Sequence, residues 1–222
     1  SSAASDVYKR QILMERFKQL SNQIGKEKVI WRYDPIFFNE HYDFDYHKKW
    51  FEYIAAKLEN HTEKCVISFL DYYSKIRSRL ILNGIPEVQE QQMHEFAFYL
   101  SAIGNKYDIK VESCCEEIDL SSVGIEHGHC INAELINRIC PLQYDFKKDK
   151  SQRQACGCIE SIDIGSYNTC RNGCIYCYAN WKETVNTVYD PNSPILCSTI
   201  NPDDKITDRQ IKSCELLQAK LF

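Results

Sequence analysis

The sequence lacks an excess of basic charge: 27 lysines and arginines stand against 31 aspartates and glutamates, a formal net charge of −4. That balance carries no strong nucleic-acid signal, because phosphate binding needs a clustered basic footprint. No apolar run is long enough to span a bilayer, and no segment is patterned as a secretory signal. No internal repeat or low-complexity tract is present, and acidic and basic residues alternate even in Lys147-Lys148-Asp149-Lys150. These absences exclude a solenoid, a charged tail and a membrane span. What is present suits a globular domain: 44% apolar content in 222 residues can build one sizeable core. Cysteine is plentiful, with twelve residues. Their clustering beside large apolar segments points to metal ligation in a reducing cytoplasm rather than to a disulfide scaffold.

The first eleven residues stand apart. Asp6 to Gln11 reads D-V-Y-K-R-Q, which back-translates to GATGTGTATAAGAGACAG, the transposase mosaic end of sequencing libraries. Residues 1–11 are therefore expected to be an adapter scar on an N-terminally truncated, metagenomic fragment of bacterial type. Beyond it, Leu13, Phe17, Leu20 and Ile24 follow helical spacing up to Gly25. The run K-V-I-W-R-Y-D-P predicts a strand closed by Pro35. Asp45 is expected to cap a second helix burying Trp50, Phe51, Ile54, Ala55 and Leu58. Cys65 to Leu70 reads as a strand buried on both faces. Pro86 is expected to open a third helix, with Met93, Phe96, Ala97, Leu100 and Ile103 on one side and Gly104 near its end. A third strand follows at Asp108 to Cys114, then a loop from Leu120 to Cys130 holding His127, His129 and Cys130, and a short helix from Asn132 to Ile139.

This alternation predicts an α/β fold of parallel βα units, part of a (β/α) barrel over residues 12–142. Barrel strands deliver functional groups from their C-terminal ends. Asp34, Asp71 and Glu116 occupy such ends, and Asp34 and Glu116 are the candidate catalytic carboxylates. Capping of the following helix or binding of loop amides is the competing role, favoured for Asp71. Residues 143–222 are expected to extend the same domain as a cysteine-rich metal module ending in a helix from Asp208 to Leu221. Such a module has few apolar residues, so ligation would supply its stability.

The chain is organised around A-C-G-C-I-E-S-I-D-I-G-S-Y-N-T-C-R-N-G-C-I-Y-C-Y-A-N-W, from Ala155 to Trp181. Cys170, Cys174 and Cys177 are spaced C-x3-C-x2-C, so one loop can turn three soft thiolates toward a common point. Three thiolates would leave one iron of a 4Fe-4S cluster open. With Tyr176 just before the last cysteine, the spacing resembles the cluster motif of radical S-adenosylmethionine (SAM) enzymes. The resemblance implies that SAM binds the open iron with Tyr176 near its adenine. It implies that reductive cleavage yields a 5′-deoxyadenosyl radical that takes hydrogen from a small-molecule substrate. An electron donor such as a flavodoxin or ferredoxin is implied as partner. Two features depart from that pattern: the motif lies near the C-terminus, and no Gly-Gly-Glu-type segment is present.

The wider run is similar to domain-of-unknown-function family 1848, whose C-terminal cysteine cluster resembles the radical SAM one. The likeness rests on V-I-W-R-Y-D-P-I (Val29 to Ile36), C-V-I-S-F (Cys65 to Phe69), C-E-E-I-D-L (Cys115 to Leu120), G-I-E-H (Gly124 to His127) and C-G-C-I-E-S-I-D-I-G-S-Y-N-T-C-R-N-G-C-I-Y-C-Y-A-N. Two alternatives stay open, a non-SAM iron–sulfur electron-transfer protein and a structural zinc module on a barrel. A second set, Cys114, Cys130, Cys156 and Cys158, is expected to close around an auxiliary 4Fe-4S cluster or zinc. Cys114 is chosen over Cys115 because neighbouring strand residues face opposite ways and because the resembling family has its cysteine at the first of the pair. Cys65, Cys140, Cys197 and Cys214 are expected to be core thiols.

Overall fold

The computed structural model describes residues 2–180, 190–197, 200–208 and 213–216. Its centre is a four-stranded, all-parallel sheet in the order β1-β2-β3-β4. The strands are β1 (Trp31–Ile36), β2 (Lys64–Phe69), β3 (Lys110–Cys114) and β4 (Glu126–Gly128). Helices α1 (Ser2–Ile24), α2 (Phe44–Leu58), α3 (Ser74–Leu82), α4 (Glu90–Lys106) and α5 (Ala133–Ile139) lie between and around them. The α/β class with parallel units is as expected. Among the described residues, no helix is long and apolar enough to cross a membrane.

Register fixes what each face of the sheet carries. Arg32 pairs with Val66, Val66 with Glu112 and Glu112 with Glu126, so with period-2 alternation these residues share one face with Asp34 and Cys114. Trp31, Cys65, Ile67, Phe69 and Val111 point the other way, into a core closed by Phe51, Ala55, Leu58, Phe96 and Leu100. Helices α2 and α4 therefore cover one face, and on the other Lys64, Lys110 and Glu112 line a cavity together with Leu135 and Arg138 of α5. On that face Lys64 Nζ and Lys110 Nζ each lie 2.9 Å from the Glu112 carboxylate. Burial pushes the Glu112 carboxyl up, but the two ammonium groups outweigh it and hold it below its ordinary value.

Local chemistry explains several differences from the expected elements. Asp43, not Asp45, caps α2, accepting from Tyr46 N at 2.7 Å. Helix α3 was not expected; only Ile76 and Leu80 of its nine residues are buried, too few to stand out as a periodic stripe. Helix α4 starts at Glu90 rather than at Pro86, with Gln92 Oε1 accepting from Gln89 N at 3.0 Å. Gly104 is a packing residue as much as a stop, since a Cβ there would stand 2.6 Å from Ile109 O and Val111 Cγ2. Strand β1 runs through Pro35 to Ile36 because it is an edge strand, where a missing N–H costs no ladder bond. Strand β4, expected as loop, has three residues and no apolar alternation; the buried Ile125 before it supplies the anchor.

Beyond α5 the chain is held by isolated antiparallel bridges, Tyr144 with Glu215 and Lys148 with Ile159. Residues 213–216 are extended and not helical: Asp145 N donates to Cys214 O and Leu216 N to Gln143 O. The rest of the helix expected at Asp208 to Leu221 lies outside the described residues, apart from Asp208, which is irregular. Cys65 is fully buried as expected of a core thiol, whereas Cys140 and Cys197 are half-buried and Cys214 is exposed.

Candidate functional site

Because all four strands run the same way, their C-terminal ends meet at one edge. Asp34, Asp71, Cys114, Glu116 and Cys130 all arise there, from β1, the end of β3, or the residues just after β2, β3 and β4. Arg32, two residues before Asp34 on the same face, ties part of this edge together. Its Nη2 and Nε lie 2.5 and 3.0 Å from Asp34 Oδ2, and its Nη1 donates to Cys130 Sγ at 3.0 Å. Cys130 Sγ is in turn 2.9 Å from Cys114 Sγ. The hydrogen bond from Cys114, aided by Arg32 and Cys158, pulls the Cys130 thiol down to about 5. The same contact with Cys130, together with burial, pushes Cys114 up.

The sulfur contacts continue. Cys158 lies beside Cys130, its Sγ accepting from Ile131 N at 3.4 Å, and Cys156 and Cys115 stand close enough for each to act on the other's thiol. Cys114, Cys130, Cys158, Cys156 and Cys115 thus form a chain of neighbouring thiols, and all five are free. The expected four, Cys114, Cys130, Cys156 and Cys158, are its members together with Cys115. Strand alternation should have sent Cys115 away. It does not, because Cys115 has a left-handed φ of 57°, so the strand pattern stops after Cys114 and the next side chain swings toward Cys156. The C-G-C loop is clamped to β4 at two points. His129 Nδ1 donates to Gly157 O at 2.5 Å, and Ile131 N donates to Cys158 Sγ at 3.4 Å. A Cβ at Gly157 would stand 2.1 Å from the His129 ring, so any other residue would have to displace the imidazole. Among the described residues, no group of three His, Cys, Asp or Glu is disposed to hold a metal ion.

The C-x3-C-x2-C loop docks on the neighbouring part of the same edge. Tyr176 packs against Leu70, Ile76, Leu80 and Ile85, with its ring centroid 6.4 Å from that of Phe37. Arg79 Nη2 donates to Cys177 O at 2.5 Å, and the Tyr73 and Tyr178 rings lie 5.3 Å apart. Inside the loop, Asn172 N donates to Cys170 Sγ at 3.4 Å, and Asn180 Nδ2 to Cys170 O at 2.7 Å. Cys170 is exposed, while Cys174 and Cys177 are half-buried. Three free thiols on one short loop suit a soft metal or an iron–sulfur cluster in donor chemistry.

The carboxylates divide in role. Asp71 caps no helix; it accepts from Arg153 Nη1 at 3.0 Å and from the Tyr73 hydroxyl at 2.9 Å. Glu116 Oε1 accepts from Phe69 N at 2.8 Å, the amide-binding role. Burial pushes its carboxyl up to about 7, with Asp71 adding to the rise and the Phe69 amide opposing it. Sequence reasoning missed Arg32, Arg153 and Cys115. For Arg32 a signal existed, its same-face spacing from Asp34. For Arg153, 82 residues from Asp71, none did.

A family model described as a domain of unknown function (DUF1848) matches residues 3–179. The chain belongs to the DUF1848 family. The match begins before Asp6 and ends just after Tyr178, so it takes in the whole sheet, the sulfur chain and the C-x3-C-x2-C loop of this DUF1848 protein. No curated protein and no solved structure matches the chain.

Proposed function

We propose that this DUF1848 protein is an iron–sulfur enzyme of radical SAM-like type, with Cys170, Cys174 and Cys177 as the protein ligands of a 4Fe-4S cluster. The observation that carries the reading is where the three-thiol loop docks: at the C-terminal edge of a parallel sheet, where α/β enzymes gather reactive groups. Such a cluster would supply one-electron reduction of SAM. The chain's own residues do the rest. Tyr176 and Arg79 anchor the loop on α3 and the end of β2. Glu116, with its carboxyl near neutrality, can hold or release a proton at Oε1 or Oε2. Asp34 is committed to Arg32 as a positioning group. The strand order, sequential and parallel, also supports a partial (β/α) barrel.

One observation favours the electron-transfer alternative: Cys170 is exposed, which would bring a cluster close to the surface and to a redox partner. Anaerobic purification of the chain, followed by iron and sulfide analysis and incubation with SAM and a strong reductant, tests the proposal. About four irons and four sulfides at this loop, lost in Cys174→Ala, are expected, together with 5′-deoxyadenosine from the parent alone. Iron without SAM cleavage would shift the reading to electron transfer, and absence of iron would end both.

A further inference from the structure

The sulfur chain has no part in that function, and it draws thiols from three separate stretches of sequence. Cys114 ends β3, Cys130 follows β4, and Cys156 and Cys158 flank Gly157. Two donors point at its sulfurs, Arg32 Nη1 at Cys130 and Ile131 N at Cys158, at 3.0 and 3.4 Å. Donors of this kind stabilise charged thiolate ligands and fix their direction. Cys156 and Cys158 are both buried, yet neither is paired in a disulfide.

We propose that Cys114, Cys130, Cys156 and Cys158 bind one thiophilic cation of the zinc class in a closed, mononuclear four-sulfur shell. The close approach of Cys114 and Cys130 favours a single ion over a cluster. Bonds of about 2.3 Å in a tetrahedron set the sulfurs roughly 3.8 Å apart. In a multi-iron cluster each terminal thiolate binds a different iron, which spreads the sulfurs further. The Cys114–Cys130 separation of 2.9 Å lies on the single-ion side of both. The thiols stand as a chain, not yet a shell, and the cation draws them together. The Cys114–Cys130 pair has to open by only about 1 Å. Cys115 is left out, because its left-handed backbone takes its side chain off the strand pattern that carries Cys114 and the Arg153 guanidinium acts on its thiol. Four protein ligands leave no position for substrate, so the ion fastens the C-G-C loop to the ends of β3 and β4 and contributes to folding.

The test uses the full chain with Cys170→Ser, Cys174→Ser and Cys177→Ser, so that the other loop cannot contribute, and in parallel the unsubstituted chain. Each is stripped with a chelator under reducing conditions and titrated with zinc. Alkylation of every cysteine is then mapped by mass spectrometry. One tightly held zinc is expected, with alkylation of Cys114, Cys130, Cys156 and Cys158 slowed about tenfold or more and that of Cys115 unchanged. Cobalt in place of zinc should give thiolate charge-transfer absorption that Cys130→Ser abolishes and Cys115→Ser keeps. The proposal is overturned by a folded chain that takes up no zinc at these thiols, or by zinc that leaves Cys130 unprotected. It is equally overturned by iron and sulfide at these four cysteines, or by a Cys114–Cys130 disulfide in protein whose thiols were blocked at lysis. None of these outcomes depends on the cysteines of the SAM-like proposal.

Discussion

The sheet with its helices and the cysteine-rich segment beyond α5 are held by different physics. In the first, Phe51, Phe96, Leu100, Ile67 and Leu80 are wholly or almost wholly shielded from water, and hydrophobic burial supplies the driving force. In the second, Ile162, Ile164 and Tyr167 are exposed, and the chain is attached through a few polar contacts, a sulfur chain and the Tyr176 side chain. A segment of that kind takes its order from what it is fastened to. The comparison teaches that the C-G-C and C-x3-C-x2-C loops sit on the part with the weaker core and borrow their geometry from the strand ends of the stronger one.

The largest effect should come from breaking the strong side. Phe51→Ala removes a fully buried ring stacked 4.7 Å from Trp31 and should cost about 3–5 kcal/mol. Thermal or urea denaturation checks this, and a loss under 1 kcal/mol would mean the two parts are less different than drawn. Lys64→Ala comes next. It strips the Glu112 carboxylate of its better-shielded partner and leaves it Lys110, for a loss of about 2 kcal/mol measured the same way.

A smaller effect is pH-dependent and belongs to the core. His47 uses both ring nitrogens while neutral, accepting from the Tyr33 hydroxyl at Nδ1 and donating to Phe37 O from Nε2, at 2.8 and 2.9 Å. Burial lowers its folded-state pKa, with the Phe37 carbonyl and Asp43 opposing. The unfolded chain then takes up the proton first as pH falls. Stability is therefore full above the ordinary histidine value and declines below it. Urea midpoints measured from pH 8 to pH 5 should fall, and less steeply in His47→Gln. An unchanged slope would contradict the assignment. The smallest effect is on the weak side: Ile164→Ala, at a side chain 78% exposed, should stay within about 0.5 kcal/mol of the parent.

The strong side was the more legible in sequence. The spacing of Phe96, Leu100 and Ile103 announced α4, and the continuous apolar run of β2 announced a doubly covered strand. Asp43 and Asp45 are equivalent by eye, and only the observed bond to Tyr46 N separates them. Strand β4 was hidden because three polar or small residues have no pattern until β3 stands beside them. At the candidate site the strand-end placement of Cys114 could be read from the βα alternation, whereas Cys130 was expected only in a loop. Arg153 on Asp71, and the turn at Cys115, could not. The first is a contact across 82 residues and the second a single backbone angle.

The meeting of Gly157 with His129 bears on the order of assembly. The imidazole fills the room that any Cβ at position 157 would need. Sliding the loop by one residue in either direction would drive the Cβ of Cys156 or Cys158 into the ring. The fit thus works as a key and keyway, setting alignment by what it excludes rather than by what it attracts. A keyway has to exist before the key can enter. His129 has to be held at the tip of β4, and β4 has to be paired with β3, before the cysteine loop can find its seat.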